Sequence, residues 1–196
     1  MLREAIADSS FLIDWSRYSR RDLLTQLFDV IHVPESVLRE IQLPPAVDWI
    51  AERLADGSFA LFTETPDIEA RARELMALSR SKPLKAIDYP EAVCLAAGLR
   101  FGYTALSENS GAFFAPRVLT LDVTVWRAFE VLVEAWRRGL VQNIVEELRR
   151  YEREALHLFR RRDWEQVWNL VRRRQRPESS EENTPTGTSS RGSLQG

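Results

Sequence analysis

Ala5-Ile6-Ala7-Asp8-Ser9-Ser10-Phe11-Leu12-Ile13 reads as a short buried strand that stops at a carboxylate and gives way to a helix. The same change of pattern recurs downstream. Val30-Ile31-His32-Val33 is strand-like and is followed by Pro34, which suits a first helical turn. Phe59-Ala60-Leu61-Phe62 is followed by Thr65-Pro66, a cap and first-turn pair for a helix through about Leu78. Tyr103 to Leu106 and Val118 to Leu121 read as a fourth and a fifth strand. Short strands alternating with helices imply an α/β fold, with a central parallel sheet of about five strands and helices on both faces.

The intervening helices follow from apolar spacing. Residues 10–17 and 22–28 read as helical, the second through the stripe Leu23, Leu24, Leu27 and Phe28. Val47 to Ala55 is helical and closes at Asp56-Gly57. Asp88-Tyr89-Pro90-Glu91 opens a helix whose apolar positions are Ala92, Leu95, Ala96 and Leu99. A long amphipathic helix is expected from about Val123 to Arg138, stopping at Gly139. Further helix is expected from Val141 to about Phe159 and again from Asp163 to Arg174. The resulting division is a domain over residues 1–150, a basic helical extension over 151–176, and a tail over 177–196. That tail is rich in Ser, Glu, Thr, Gly and Asn and is expected to be disordered.

Composition bounds the function. With 44% hydrophobic and 29% charged residues, the chain has the make-up of a soluble globular protein. No apolar stretch approaches the roughly 20 residues of a membrane span. The start Met1-Leu2-Arg3-Glu4 lacks a basic leader with an apolar core, so a cytoplasmic location is expected. A single cysteine, Cys94, excludes an intramolecular disulfide and a multi-cysteine zinc site, and it reads as a small core residue. His32 and His157, the two histidines, sit beside no serine or cysteine nucleophile motif, and no phosphate-binding loop or Gly-x-Gly-x-x-Gly fingerprint occurs.

Charge is unevenly spread. Arg137 to Arg176 holds 12 arginines against six acids, a balance of +6, so an overall charge of −2 leaves −8 for the rest. Glu146, Glu147, Glu152 and Glu154 interleave with Arg149, Arg150 and Arg153, as on a solvated helix face. Arg160-Arg161-Arg162 and Arg172-Arg173-Arg174 have fewer local acids and are the candidates for nucleic-acid binding.

Four acids stand where strand-like runs turn helical: Asp8, Glu40, Glu91 and Glu108. In an open parallel sheet, polar groups at the carboxyl ends of strands converge on one crevice. Four carboxylates gathered there repel one another unless cations intervene, so a Mg²⁺ or Mn²⁺ site is expected. Such a site can orient and deprotonate water and stabilise the leaving oxygen of a phosphodiester. Ser10 and Asn109 would support it. Each acid also has a plainer role open to it. Asp8 could cap a helix, Glu40 could be an exposed helix residue, and Asp88-x-x-Glu91 has the form of a capping box. A phosphotransferase built on Asp8 would need a second acid two residues on, where Ser10 stands.

Asp8-Ser9-Ser10-Phe11-Leu12-Ile13, Val33-Pro34-x-x-Val37-x-x-Glu40, Asp88-x-x-Glu91-Ala92 and Ala105-Leu106-Ser107-Glu108-Asn109, in that order and spacing, resemble the PIN domain. The following Val118-Leu119-Thr120 and Arg137-Arg138-Gly139-Leu140 fit as well. The resemblance covers about residues 3–150. It implies a three-layer α/β/α fold and a hydrolase that cuts RNA with Mg²⁺ or Mn²⁺. Asp8, Glu40, Glu91 and Glu108 would be the acidic quartet, and Ser10 would support the first aspartate. Many PIN domains are toxins of VapBC-type toxin–antitoxin pairs, so a small antitoxin and a homodimer are implied as partners, besides RNA. The family usually carries aspartate at the fourth position, often as Asp-Asp. Glu108-Asn109 departs from this, which keeps a second reading open: a weakly active or inactive PIN-like module that binds RNA or protein.

Overall fold

A computed structural model describes residues 3–81 and 83–175; the tail expected over 177–196 lies outside the described residues. The chain runs β1 (Glu4–Ala7), α1 (Ser9–Ser16), α2 (Leu23–Leu27), β2 (Val30–Pro34), α3 (Glu35–Glu40), α4 (Pro44–Ala55) and β3 (Phe59–Phe62). It continues with α5 (Pro66–Ser81), α6 (Tyr89–Phe101), β4 (Thr104–Leu106), α7 (Ser110–Val118), β5 (Val125–Trp126), α8 (Ala128–Arg137), α9 (Ile144–Ala155) and α10 (Arg161–Gln175).

All strand pairs are parallel, in the order β3-β2-β1-β4-β5. The chain therefore builds outward from β1 on one side, then returns to add β4 and β5 on the other. That reversal leaves the carboxyl ends of β1 and β4 side by side, joined where the Asp8 amide donates to the Leu106 carbonyl at 3.0 Å. Loops leaving the two strands diverge here, which is where an open α/β sheet forms its crevice.

Burial explains the strand composition. Ala5, Ile6 and Ala7 of the central strand are wholly buried, as a strand covered on both faces must be. Small side chains there let α6 lie close, and α6 is itself buried from Ala92 through Gly98. A β-carbon at Gly98 would come within 2.5 Å of Val123 Cγ2, so only glycine allows this approach.

Two elements differ from expectation. Val118 to Leu121, expected as the fifth strand, is the end of α7 and its turn; the fifth strand is Val125–Trp126. Asn109 caps α7 by accepting from the Gly111 amide at 2.7 Å, and the helix persists through Pro116. The Leu119 and Leu121 amides are taken by the Ala115 and Pro116 carbonyls, so they cannot pair with β4. The Thr124 and Trp126 carbonyls do so instead, accepting from the Ala105 and Ser107 amides at 2.9 Å. The helix expected from Val123 consequently starts only at Ala128.

The carboxyl-terminal helices share the core. Tyr151 of α9 packs against Trp15, Tyr18 and Phe159 with ring centroids 5.1–5.6 Å apart. Buried Glu147 accepts from the Tyr18 hydroxyl, Arg20 and Arg150, tying α9 to the first helices. Arg127, ahead of α8, donates to Glu130 and to buried Asp163 of α10. Residue 150, where the first domain was expected to end, falls inside α9. No described helix is long and apolar enough to cross a membrane. Cys94 is buried in α6, and burial pushes its thiol well above the usual range.

Candidate active site

Asp8 leaves the end of β1 in an extended conformation and caps α1. Its Oδ1 accepts from the Phe11 amide at 2.8 Å and the Ser10 hydroxyl at 2.9 Å, and its Oδ2 accepts from the Ser107 hydroxyl. The capping role is thus real, but it does not account for the whole environment. Asp8 is wholly buried, and burial drives its carboxyl from 3.8 up to about 7 against the pull of all three donors. The nearby charge of Glu91 pushes it the same way.

Glu91 enters from the first turn of α6. Asp88 precedes that helix but makes no side-chain capping bond, so the capping box open in the sequence is not formed. Glu91 Oε1 accepts from Asn109 Nδ2 at 3.1 Å, whereas Oε2 is buried with no hydrogen-bond partner among the described residues. A buried carboxylate oxygen without a donor is costly. A buried Asp8 carboxyl whose charge burial disfavours, beside the orphaned Glu91 oxygen, forms a site that a cation would stabilise.

Glu108 does not join them. Beyond β4 the side chains alternate: Ser107 reaches Asp8, Asn109 reaches Glu91, and Glu108 turns the other way. Its Oε1 accepts from the Ala128 amide at the start of α8 at 2.6 Å, and its Oε2 lies 3.5 Å from His157 Nε2. Burial raises the Glu108 carboxyl, with His157 pulling it back. His157 sits between two acids, its Nδ1 being 3.3 Å from Asp14 Oδ2, and these partners raise its imidazole above 6.5 despite burial.

Glu40, the last residue of α3, is exposed and accepts from the Ser9 hydroxyl at 2.7 Å. Adjacent serines therefore hold two different acids, Ser9 the outer Glu40 and Ser10 the inner Asp8. No cluster of three or more His, Cys, Asp or Glu side chains placed to hold a metal occurs among the described residues. The structure brings together Asp8 and Glu91, with Ser10, Ser107 and Asn109 around them.

The two arginine clusters separate. Arg160, Arg161 and Arg162 are at the start of α10, and Arg172, Arg173 and Arg174 lie about 18 Å farther along its axis at 1.5 Å per residue. Arg161 pairs with Glu165 at 2.8 Å, Arg172 bonds Asn169 at 3.0 Å, and Arg174 lies 4.7 Å over the Trp136 ring. Arg162 and Arg173 are exposed on one side of α10. Arg160 is three residues from His157, which pairs with Glu108 and Asp14.

A PIN-domain family model matches residues 4–167. The chain belongs to the PIN-domain family. This PIN domain takes in α9 and the first half of α10, consistent with their place in the core. No curated protein matches it in sequence. Among solved structures it is similar to the crystal structure of FitAcB from Neisseria gonorrhoeae, at 16% identity, over 62% of this chain and 96% of that one, with a TM-score of 0.43.

Ser107 and His157 were not singled out as site residues by sequence. Ser107 was recoverable, since alternation continued past Leu106 puts residues 107 and 109 on one side and 108 on the other. His157 carried no such signal. It reaches Glu108 only because Leu156 turns the chain through a left-handed conformation at φ 56° after α9.

Proposed function

We propose that this PIN domain is a metal-dependent endoribonuclease whose centre is the Asp8–Glu91 pair. The observation that supports this most is the buried, unpartnered Oε2 of Glu91 beside an Asp8 carboxyl raised to about 7. Both features ask for a cation. Mg²⁺ commonly binds through one or two carboxylates and fills its shell with water and substrate phosphate, so this donor set fits Mg²⁺ or Mn²⁺. When bound, such an ion supplies positive charge to the phosphodiester and acidifies water.

The remaining work falls to the chain. Ser10, Ser107 and the Phe11 amide fix both Asp8 oxygens, and Asn109 fixes one oxygen of Glu91. Glu40, exposed and held by Ser9, would orient the attacking water or take its proton. Exposed Arg160 and Arg162 would steady the phosphate backbone. The finer assignment, a toxin of a VapBC-type pair with a small antitoxin and a homodimeric state, rests on the resemblance of the opening motifs.

One observation favours a second reading, a binding module with little or no cleavage. Glu108 is engaged by Ala128 and His157, and the residue facing Glu91 in its stead is the neutral Asn109. Cleavage of a mixed structured RNA pool by wild type and Asp8→Asn, with Mg²⁺, Mn²⁺ or EDTA, separates the two. The nuclease reading expects cutting by wild type only, abolished by EDTA. RNA bound equally by both proteins and cut by neither would establish the module.

A further inference from the structure

Helix α7 begins one residue after Asn109 and presents Phe114 on its outer face, with 37% of that residue exposed. Its neighbour Phe113 does the structural task of the pair: it packs on the core and carries the Arg127 guanidinium 4.2 Å from its ring. Phe114 is left outside, braced edge-on against Phe113 with ring centroids 5.2 Å apart. The Arg160 guanidinium lies over the Phe114 ring, 5.9 Å from its centroid, and exposed Arg117 lies one turn along the same face. Unlike Arg161, neither Arg160 nor Arg117 has a side-chain acid partner among the described residues. Phe114 is about 7.5 Å along the helix axis from Asn109, at 1.5 Å per residue. The shelf is thus joined by α7 to Asn109, which bonds Glu91, and by the chain from 157 to 160 to His157, which pairs with Glu108.

We infer that Phe114, flanked by Arg160 and Arg117, is a stacking seat for an unpaired base of single-stranded RNA, next to the point of cleavage. This rests on the nuclease reading and adds where the strand is gripped. A braced, exposed ring takes a stacked base when Arg160 swings from over it to the flanking phosphate, and Arg117 answers the next one. A base paired in a helix presents no free face to such a ring, so duplex RNA should gain nothing from Phe114.

The test is fluorescence anisotropy with a short labelled RNA, single-stranded or as a duplex, bound to the full chain in EDTA so that nothing is cut. Phe114→Ala should weaken single-strand binding roughly 5- to 150-fold, the range for loss of one stacked base, and leave the salt slope unchanged. Arg160→Gln should lower the slope of log affinity against log salt by about 0.7, one single-strand phosphate contact. Phe114→Trp should keep wild-type affinity, which guards against misfolding as the cause. Cleavage is assayed separately in Mg²⁺, so loss of cleavage and loss of binding are read apart. Wild-type affinity in Phe114→Ala overturns the seat whatever becomes of cleavage. An equal loss on duplex RNA, or a change only in self-association, overturns it as well.

Discussion

Asp8→Asn should make the protein more stable at pH 8, by an amount that follows from burial. The Asp8 carboxyl is raised from 3.8 to about 7, chiefly by burial and secondarily by Glu91. Below pH 4 the group is protonated in both folded and unfolded chains and contributes nothing. Between pH 4 and 7 the unfolded chain has lost its proton while the folded one keeps it, so stability falls as pH rises, then levels off. The shift corresponds to about 4 kcal/mol at roughly 1.4 kcal/mol per unit. Asparagine removes the charge and keeps the bonds: its oxygen still accepts from Phe11 and Ser10, and its amide can donate to the Ser107 hydroxyl, which rotates to accept. For a chain of this size, about 4 kcal/mol is a melting-temperature rise of roughly 8–16 °C. Thermal unfolding from pH 4 to 9 should show the two proteins coinciding at pH 4 and separating by pH 8. Mg²⁺ at 100 times its Kd should restore about 2.7 kcal/mol to wild type alone. Coincident melting at pH 8, or equal stabilisation of both proteins by Mg²⁺, would refute the reasoning.

Three further outcomes follow. Asn109→Asp places a third carboxylate against Glu91, so it should lower melting temperature in EDTA and tighten Mn²⁺ binding about tenfold, near 1.4 kcal/mol, by calorimetry. His157→Ala strips Glu108 and Asp14 of their shared cation and should cost about 1–3 kcal/mol in urea unfolding. Because the His157 imidazole is raised, its stabilisation is complete below pH 6.5 and fades as pH rises through the folded value, so the loss should be larger at pH 6 than at pH 9. Gly111→Ala would drive a methyl group into the Lys85 carbonyl, pressing the start of α7 off the loop before α6. It should cost about 1–3 kcal/mol in urea unfolding and reduce cleavage, because Asn109, which caps α7 and bonds Glu91, shifts with it.

Much of the fold was legible because periodicity carries it. Four of the five strands stand where apolar runs stop at turn residues, and Asp8 marks the end of β1 in both sequence and structure. The fifth strand was misplaced because Val118-Leu119-Thr120-Leu121 is as apolar and β-branched as a strand, yet helix α7 has already claimed its amides. Local propensity could not reveal that competition. The site was legible as a set of acids but not as directions. Asp88-x-x-Glu91 reads equally as a cap or a ligand pair, and the structure shows only that Asp88 makes no capping bond. Glu108 and Asn109 differ by one position, hence by which side of the β4 extension they face. His157 acts across 143 residues from Asp14, a separation that no local pattern encodes.

Counting bound Mn²⁺ by electron paramagnetic resonance in wild type, Asp8→Asn, Glu91→Gln and Glu108→Gln tests the centre most directly. Binding in wild type and Glu108→Gln, lost in the other two, is the predicted result. No binding in wild type, or equal loss in Glu108→Gln, would contradict an ion held by Asp8 and Glu91.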